Sequence, residues 1–361
     1  MIDSNASQEN REEKIDFIIA GQGLAGSLLA HSLLKKNATI RIIDPVESNT
    51  SSNVAAGIIH PVTGRRIVKS WKADVLIPFA EYIYNEIALL TKLEFFHPVP
   101  IIEIYQSIHH RNDWMSRSED ILMQHFIGDE IASKDFDIEV LAPFGGIQIK
   151  QTAWLDVKKF LDACRIYFLN KGCFITDKIH ENEISFGENE VHWKQLTAKK
   201  IIYCNGSTDI PLVFFNQLPF HFSKGEIIEI ESPTLRINSI LNKGVFILPV
   251  GNNRYKVGST FSWDTNDTSP TETGKKQLTD DLNRMIMSGY KVLNHWAAIR
   301  PTTNDRRPFV GLSETKNQIG IFNGLGTKGV MIAPYYAEQF ADNLLFNHPI
   351  DEEVSINRIR K

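Results

Sequence analysis

Apolar residues along this chain fall into short unbroken runs, leucine-rich stretches at helical spacing, and alternating segments. Ile15 to Ala20 is an unbroken run of strand length, followed by Gly21-Gln-Gly-Leu-Ala-Gly26. Ser27 to Lys36 then spaces its leucines as a helix does, and Ala38 to Asp44 is a second strand-like run closed by Pro45. Strand, glycine turn, helix and strand within about thirty residues make a βαβ unit. The next stretch, Val46 to Gly64, is too rich in Ser, Asn, Ala and Gly for an amphipathic helix and reads as a loop or a short ligand-facing segment. Asp74 to Lys92 has helical periodicity, and Phe95 to Gln106 has the apolar content and prolines of edge strands.

A helix near His110 to Phe126 and strand-like runs up to Lys150 complete one insertion. Val157 to Asn170 is again an amphipathic helix, with Asp156 as its N-cap, and a strand follows at Cys173 to Thr176. Lys200 to Gly206 is a buried strand ending in a glycine. Lys224 to Glu231, Val245 to Val250 and Tyr255 to Phe261 alternate as antiparallel strands do, with Asn252-Asn253 as a turn. Finally Gln318 to Asn323 is a strand, Gly324 to Gly329 a glycine turn and Val330 to Phe346 a helix, with Pro334 early enough for its missing donor to cost little.

The fold class expected is α/β in its nucleotide part and α+β overall. A Rossmann-type domain (14–70, 150–216 and 300–361) is interrupted by an antiparallel-sheet substrate domain (71–149 and 217–299), after a polar, flexible tail at 1–13. The chain has 361 residues, 42% apolar and 23% charged, enough for about two domains with a sizeable core. Its 39 basic and 43 acidic residues give a net charge of -4, which exerts no general pull on nucleic acid or anionic membrane. Cys164, Cys173 and Cys204 are scattered and form no metal-ligand spacing, so neither a disulfide framework nor a metal site is expected. With no signal-peptide core and no apolar run near twenty residues, the expected location is the cytoplasm.

Gly21-x-Gly-x-x-Gly26 has the context that gives such a loop meaning: a strand before, a helix after, and Asp44 at the end of the next strand. Gly21 permits the tight turn, and Gly23, with Leu24 and Ala25 beside it, lets backbone approach a pyrophosphate. Gly26 lets helix and strand pack closely, and Asp44 accepts from ribose hydroxyls. The loop alone does not separate FAD from NAD. At the other end of the chain, the backbone N–H groups of Leu325 to Val330 lead into a helix whose positive end would face developing negative charge, and Lys328 would add a full one. Arg300, before Pro301, offers a planar fork of donors to a carboxylate, or else a structural ion pair with Asp305. Arg300 and Lys328 are therefore the candidate catalytic residues. His60, Arg65 and Arg66 would point toward the ligand, or with Lys69 and Lys72 form a solvated basic face.

Ser51-Ser-Asn-Val-Ala-Ala-Gly-Ile-Ile-His60, Ala298-Ile-Arg-Pro-Thr-Thr-Asn-Asp-Arg-Arg-Pro308 and Asn323-Gly-Leu-Gly-Thr-Lys-Gly-Val-Met-Ile-Ala-Pro334 resemble segments of the D-amino-acid oxidase, glycine oxidase and sarcosine oxidase family of flavoenzymes. The resemblance implies a glutathione-reductase-like fold and FAD. Ser51, Ser52, Ala55, Ala56, Gly57 and Ile58 would run beneath pyrophosphate and flavin, beside Pro45. Ile179 would meet adenine through backbone, with Asn205 and Gly206 ending a neighbouring strand. Gly324, Leu325, Gly326, Thr327, Lys328, Gly329 and Val330 would cap the flavin. Arg300 would bind the substrate carboxylate. Covalent attachment in the sarcosine oxidase branch uses a cysteine where this chain has none, so the FAD would be non-covalent.

The implied reaction is hydride transfer from an amine-bearing carbon of an amino acid or secondary amine, with oxygen as acceptor. Within the family, SNVAAGIIHPVTGRR and RPTTNDRRPFVG followed by NGLGTKGV are similar to the flavin domains of bifunctional enzymes that build the methylaminomethyl group of tRNA wobble uridine. The alternatives are thus carboxymethylaminomethyl-uridine of tRNA as substrate, a flavin-binding subunit of an amine dehydrogenase complex, or an NAD-dependent dehydrogenase. The sequence leaves oligomeric state open.

Overall fold

The computed structural model describes residues 13–63, 67–208, 212–263 and 267–360. The tail at 1–13, apart from Glu13, and the arginines Arg65 and Arg66 lie outside the described residues.

The first strand, Glu13–Ala20, is apolar on both faces because both are covered. Phe17 and Ile19 join the core shared with the leucines of the helix Leu24–Lys35, while Ile18 and Ala20 face a second core with Trp193, Tyr203 and Ile321. Two-sided burial belongs to a parallel sheet, and that is what forms. Phe174–Thr176, Ile40–Asp44, Glu13–Ala20, Leu196–Tyr203 and Ile319–Asn323 lie side by side and parallel. The helix Leu24–Lys35 packs on the final helix, Gly329–Phe346, which also packs on the helix Ala73–Thr91. First and last segments of the chain therefore meet in one layered body.

The second sheet runs in the order Lys291–Thr303, Phe220–Glu231, Arg254–Gly258, Phe246–Gly251, Ile240–Asn242, Ile101–Ile104, Gly146–Ile149, Ile127–Ile131. All its pairs are antiparallel except Ile240–Asn242 with Ile101–Ile104. Asn252 and Asn253 both have positive φ, 52° and 57°, which is the tight hairpin turn expected of that pair. A small sheet of Ile58–Ile59, Ala153–Leu155 and Phe96–Pro98 is made from segments that flank both large sheets in sequence. Among the described residues no helix is long and apolar enough to cross a membrane.

Several expectations shift. Of the segment read as edge strands, Phe96–Pro98 does pair on one side only, but Ile101–Ile104 is paired on both, because the prolines at 98 and 100 fall outside its ladder. The helix near His110 to Phe126 ends at Ser118, after which the Asp120 carboxylate accepts from the Leu122 N–H and turns the chain. Lys291–Thr303, at 13 residues the longest of the described strands, replaces a stretch in which no strand was expected. Pro334 is the sixth residue of its helix and not in the first turn. The carbonyl it deprives of a partner, that of Val330, accepts instead from the buried Tyr84 hydroxyl at 2.9 Å.

Candidate functional site

A cleft of about 470 Å³ opens where the parallel strands end. Ala20, Ile43 with Asp44, and Tyr203 with Cys204, at or just beyond the carboxyl ends of adjacent strands, all line it. In an open parallel sheet this edge is where ligands bind, since helix N-termini and loops converge there.

The glycine loop is shaped by close approach. Gly21 has φ +101°, and a Cβ on it would stand 2.8 Å from the Cys204 carbonyl oxygen. A Cβ on Gly26 would stand 1.9 Å from the Gly21 carbonyl oxygen, so the helix can start only if that position is bare. The Gly21 N–H donates to Ile43 O at 2.8 Å, which lays the loop across the strand ends. Gly26 does not line the cleft; its neighbours Gly23, Leu24 and Ala25 do. The Ser52 hydroxyl accepts from the Leu24 N–H at 3.2 Å, so the small-residue segment also serves the helix start. One carboxylate oxygen of Asp44 accepts from the Gln22 N–H and the other from the Val46 N–H, both at 2.6 Å. These bonds fix the carboxylate at the cleft wall with lone pairs to spare.

The structure brings most of the expected residues together. Pro45, Ser51, Ser52, Ala55, Ala56, Gly57, Ile58, Ile179, Asn205, Gly206, Arg300, Leu325, Gly326, Thr327, Gly329 and Val330 all line the same cleft. Gly324 does not. With φ +77° it makes the turn, and its N–H donates to the Asn323 side-chain oxygen at 2.8 Å. Asn323, buried, donates in turn to the Gly206 carbonyl at 2.7 Å and so staples the two glycine turns to each other. Sequence reasoning had placed Asn323 at the end of a strand and the start of the capping segment, without this bond.

Lys328 is also not among the lining residues. Its ammonium donates to the hydroxyls of Thr63 and Ser70, behind the turn. Burial, with Arg306 nearby, pushes its pKa down to about 8. The charge expected at the capping turn is therefore tied back, and the N–H groups of the helix start remain on the cleft side. His60 likewise turns from the cleft to bond the buried Glu103 at 2.9 Å, which the Asn242 amide also holds.

Arg300 does face the cleft. Asp305, its alternative partner, is bound instead by Arg358 at 2.8 Å. Among the described residues no carboxylate lies within 4 Å of the Arg300 guanidinium, whose one hydrogen bond, to the Thr260 carbonyl, is long at 3.5 Å. Desolvation pushes its pKa down, though a guanidinium stays charged. The guanidinium lies on Gly225: a Cβ there would be 1.8 Å from Nη2. Gly225, Ile227 and Phe246, from the second sheet, and Ser259, just past its strand Arg254–Gly258, line this end and escaped the sequence reading. The Gly326 N–H donates to Pro301 O at 2.9 Å, so the strand bearing Arg300 is tied to the capping turn.

These features fit FAD. The bare glycine loop and helix start suit the pyrophosphate, Asp44 the adjoining ribose, and the second glycine turn with its helix start an electron-rich ring. Comparison with known proteins agrees. The bifunctional tRNA 5-methylaminomethyl-2-thiouridine biosynthesis protein MnmC of Legionella pneumophila (strain Corby) is 24% identical over 316 residues, covering 83% of this chain and 46% of that protein. The chain thus spans about half the length of the curated relatives it matches. Among solved structures, iminodiacetate oxidase from Chelativorans sp. BNC1 superposes with a TM-score of 0.81 at 17% identity, covering 94% of this chain and 98% of that one. Glycine oxidase from Geobacillus kaustophilus gives 0.80 at 16% identity, covering 96% and 99%. Residues 16–343 match the model of the DAO family, and the chain belongs to this family of FAD dependent oxidoreductases.

Proposed function

We propose that this chain oxidises the C–N bond of an amine that carries a carboxylate, an amino acid or an N-substituted glycine. The observation that carries the reading is the Arg300 guanidinium, facing the cleft with no carboxylate partner among the described residues. An unpaired cation at a half-buried wall is costly, and a ligand carboxylate that accepts its paired donors relieves the cost. Iminodiacetate oxidase and glycine oxidase, the structural neighbours, are named for substrates of this class.

FAD, when bound, supplies the two-electron acceptor for the C–H bond next to nitrogen. The chain's own residues orient and polarise. Arg300 fixes the carboxylate, and with it the direction of the neighbouring C–H bond. Ile227, Phe246 and Ala298 surround that seat with apolar surface that excludes water. The N–H groups of the capping turn beyond Gly326, those of Thr327 to Val330, place the positive end of an 18-residue helix at the cleft wall, where negative charge is stabilised. Cys204, the one cysteine lining the cleft, is buried and its thiol pKa pushed up, so it is a poor nucleophile, which supports a cofactor held without a bond to this thiol. Oxygen is the proposed acceptor.

Anaerobic mixing of the holoprotein with a panel of amino acids, N-substituted glycines and plain amines tests the reading. Bleaching of the flavin by carboxylated amines is expected. Arg300→Ala should raise their Michaelis constants on the order of tenfold to a hundredfold, the worth of a charge-assisted hydrogen-bonded pair. No bleaching by any member would sink the proposal.

The likeness to the tRNA-modifying bifunctional protein over 83% of the chain favours a second reading, in which the N-substituted glycine is carried on a tRNA uridine as its carboxymethylaminomethyl group. Nucleoside analysis of tRNA from a deletion strain tests it. Accumulation of that nucleoside supports the reading, and an unchanged profile removes it.

A further inference from the structure

Phe261 and Trp263 are 55% and 66% exposed, unusual for rings of this size, and they sit edge to face with centroids 4.8 Å apart. Their place in the sheet is set by register. Lys224 and Ser262 exchange both backbone hydrogen bonds, at 2.8 and 2.9 Å, and the Thr260 N–H donates to Glu226 O. The pairing therefore sets Phe261 opposite Gly225 and Trp263 opposite Ser223. On its other side the same strand pairs Gly225 with Ala298 and Ser223 with Arg300. Paired residues share a face, and Gly225, Ala298 and Arg300 line the cleft. The two aromatic rings thus stand on the cleft face of the sheet, two strands from Arg300, with the His221 ring 6.3 Å from Trp263.

Two strands separate backbones by about 10 Å. The Arg300 guanidinium halves that gap, because it folds back over Gly225 toward Phe261. The chain from a ring carbon through CH2, NH and CH2 to a carboxylate spans roughly 5 Å at ordinary bond lengths. The arm is therefore long enough for a ligand with its carboxylate on Arg300 to set its ring against the aromatic pair, which stands just beyond the residues lining the cleft. We propose that Phe261 and Trp263 form a stacking platform, one ring offering its face and the other its edge, for the flat ring of the substrate, an unpaired uracil-type base, whose amine arm reaches from the platform to Arg300. This rests on the tRNA reading above. Stacking of a base on an aromatic side chain is tolerant of the base's edges, so the platform supplies affinity while Arg300 selects the arm.

The test uses the FAD-loaded full chain and 5-(3-carboxypropyl)uridine, whose arm has the same length, with ring and carboxylate but no amine to oxidise. Its dissociation constant, read from perturbation of the flavin absorbance, is compared with that of acetate. The nucleoside is expected to bind at least about tenfold more tightly, the size of one base stack. Trp263→Ala and Phe261→Ala should each reduce that ratio several-fold, and Trp263→Phe should restore most of it. Equal affinity for nucleoside and acetate in the wild type, or an alanine variant that keeps the full ratio, overturns the platform. Failure of the underlying reading shows separately: 5-(3-carboxypropyl)uridine would bind with the expected ratio while 5-carboxymethylaminomethyluridine left the flavin unbleached.

Discussion

Replacing Gly225 by alanine separates the carboxylate seat from the rest of the cleft. Gly225 lies in regular strand, without a positive φ, so its backbone accepts a side chain. Alanine there even removes some freedom from the unfolded chain, worth about 0.4–1 kcal/mol in favour of the fold. The obstacle is one group: the new Cβ would stand 1.8, 2.1 and 2.4 Å from Nη2, Cζ and Nη1 of Arg300. The guanidinium ends a long flexible side chain, so it swings aside before the sheet yields, and the net stability change should stay within about 1 kcal/mol, the low end of overpacking. What is lost is the seat. A hydrogen-bonded charge pair is worth about 1.5–3 kcal/mol, which is roughly a tenfold to 150-fold rise in the Michaelis constant for a carboxylated amine. The assay is anaerobic flavin reduction against substrate concentration, with thermal melting and FAD retention measured on the same preparations. The expected result is a raised Michaelis constant with melting and retention near wild type. An unchanged Michaelis constant, or losses in melting and retention as large as the kinetic one, would refute the steric argument.

Tyr84→Phe should cost about 1–3 kcal/mol in urea unfolding of the holoprotein, because it leaves the Val330 carbonyl without the donor that Pro334 cannot supply; a cost below about 0.5 kcal/mol would count against that role. Lys328 has its folded pKa pushed down to about 8, so between pH 8 and its usual value near 10.5 the unfolded chain binds more protons than the folded one. Stability relative to Lys328→Met should then be lowest below pH 8 and rise across that window, and a difference that is flat with pH would contradict the burial. Gly26→Ala puts a Cβ 1.9 Å from a backbone oxygen that cannot swing away, so the variant should lose its yellow colour on desalting; full retention would show that the loop can open. Acid precipitation of the wild type should release all flavin into the supernatant, and colour left in the pellet would disprove non-covalent attachment.

Helices were the most legible elements. Val157–Asn170 matches its expected bounds residue for residue, since the Asp156 side chain accepts from the Lys159 N–H at one end and Gly172, with φ +65°, turns the chain just past the other. The nucleotide end of the cleft was legible for a similar reason: its glycines act where they stand, through local turns and close approaches. The substrate end was not. Lys291–Thr303 neither alternates cleanly nor avoids proline, and it is a strand because Phe220–Glu231 pairs along almost its whole length. Which of its side chains meet the cleft depends on a register that shifts between Glu229 and Ile230. Such a bulge leaves no mark in the sequence of either strand. Lys328 failed for a different reason, as the hydroxyls of Thr63 and Ser70 that capture it are more than 250 residues away in sequence.

The strand Lys291–Thr303 carries Arg300 and, one residue later, the Pro301 carbonyl that accepts from the capping turn at Gly326. In many two-domain enzymes the grip on the substrate and the grip on the cofactor belong to separate bodies, and a hinge sets the gap between them. Here a single length of extended backbone acts as the ruler. Any movement between the two large sheets would change who can enter, while the distance at which a captured carboxylate is presented would stay the same. Selection by size and selection by reach are therefore separable, and loop changes at the entrance can broaden the first without loosening the second.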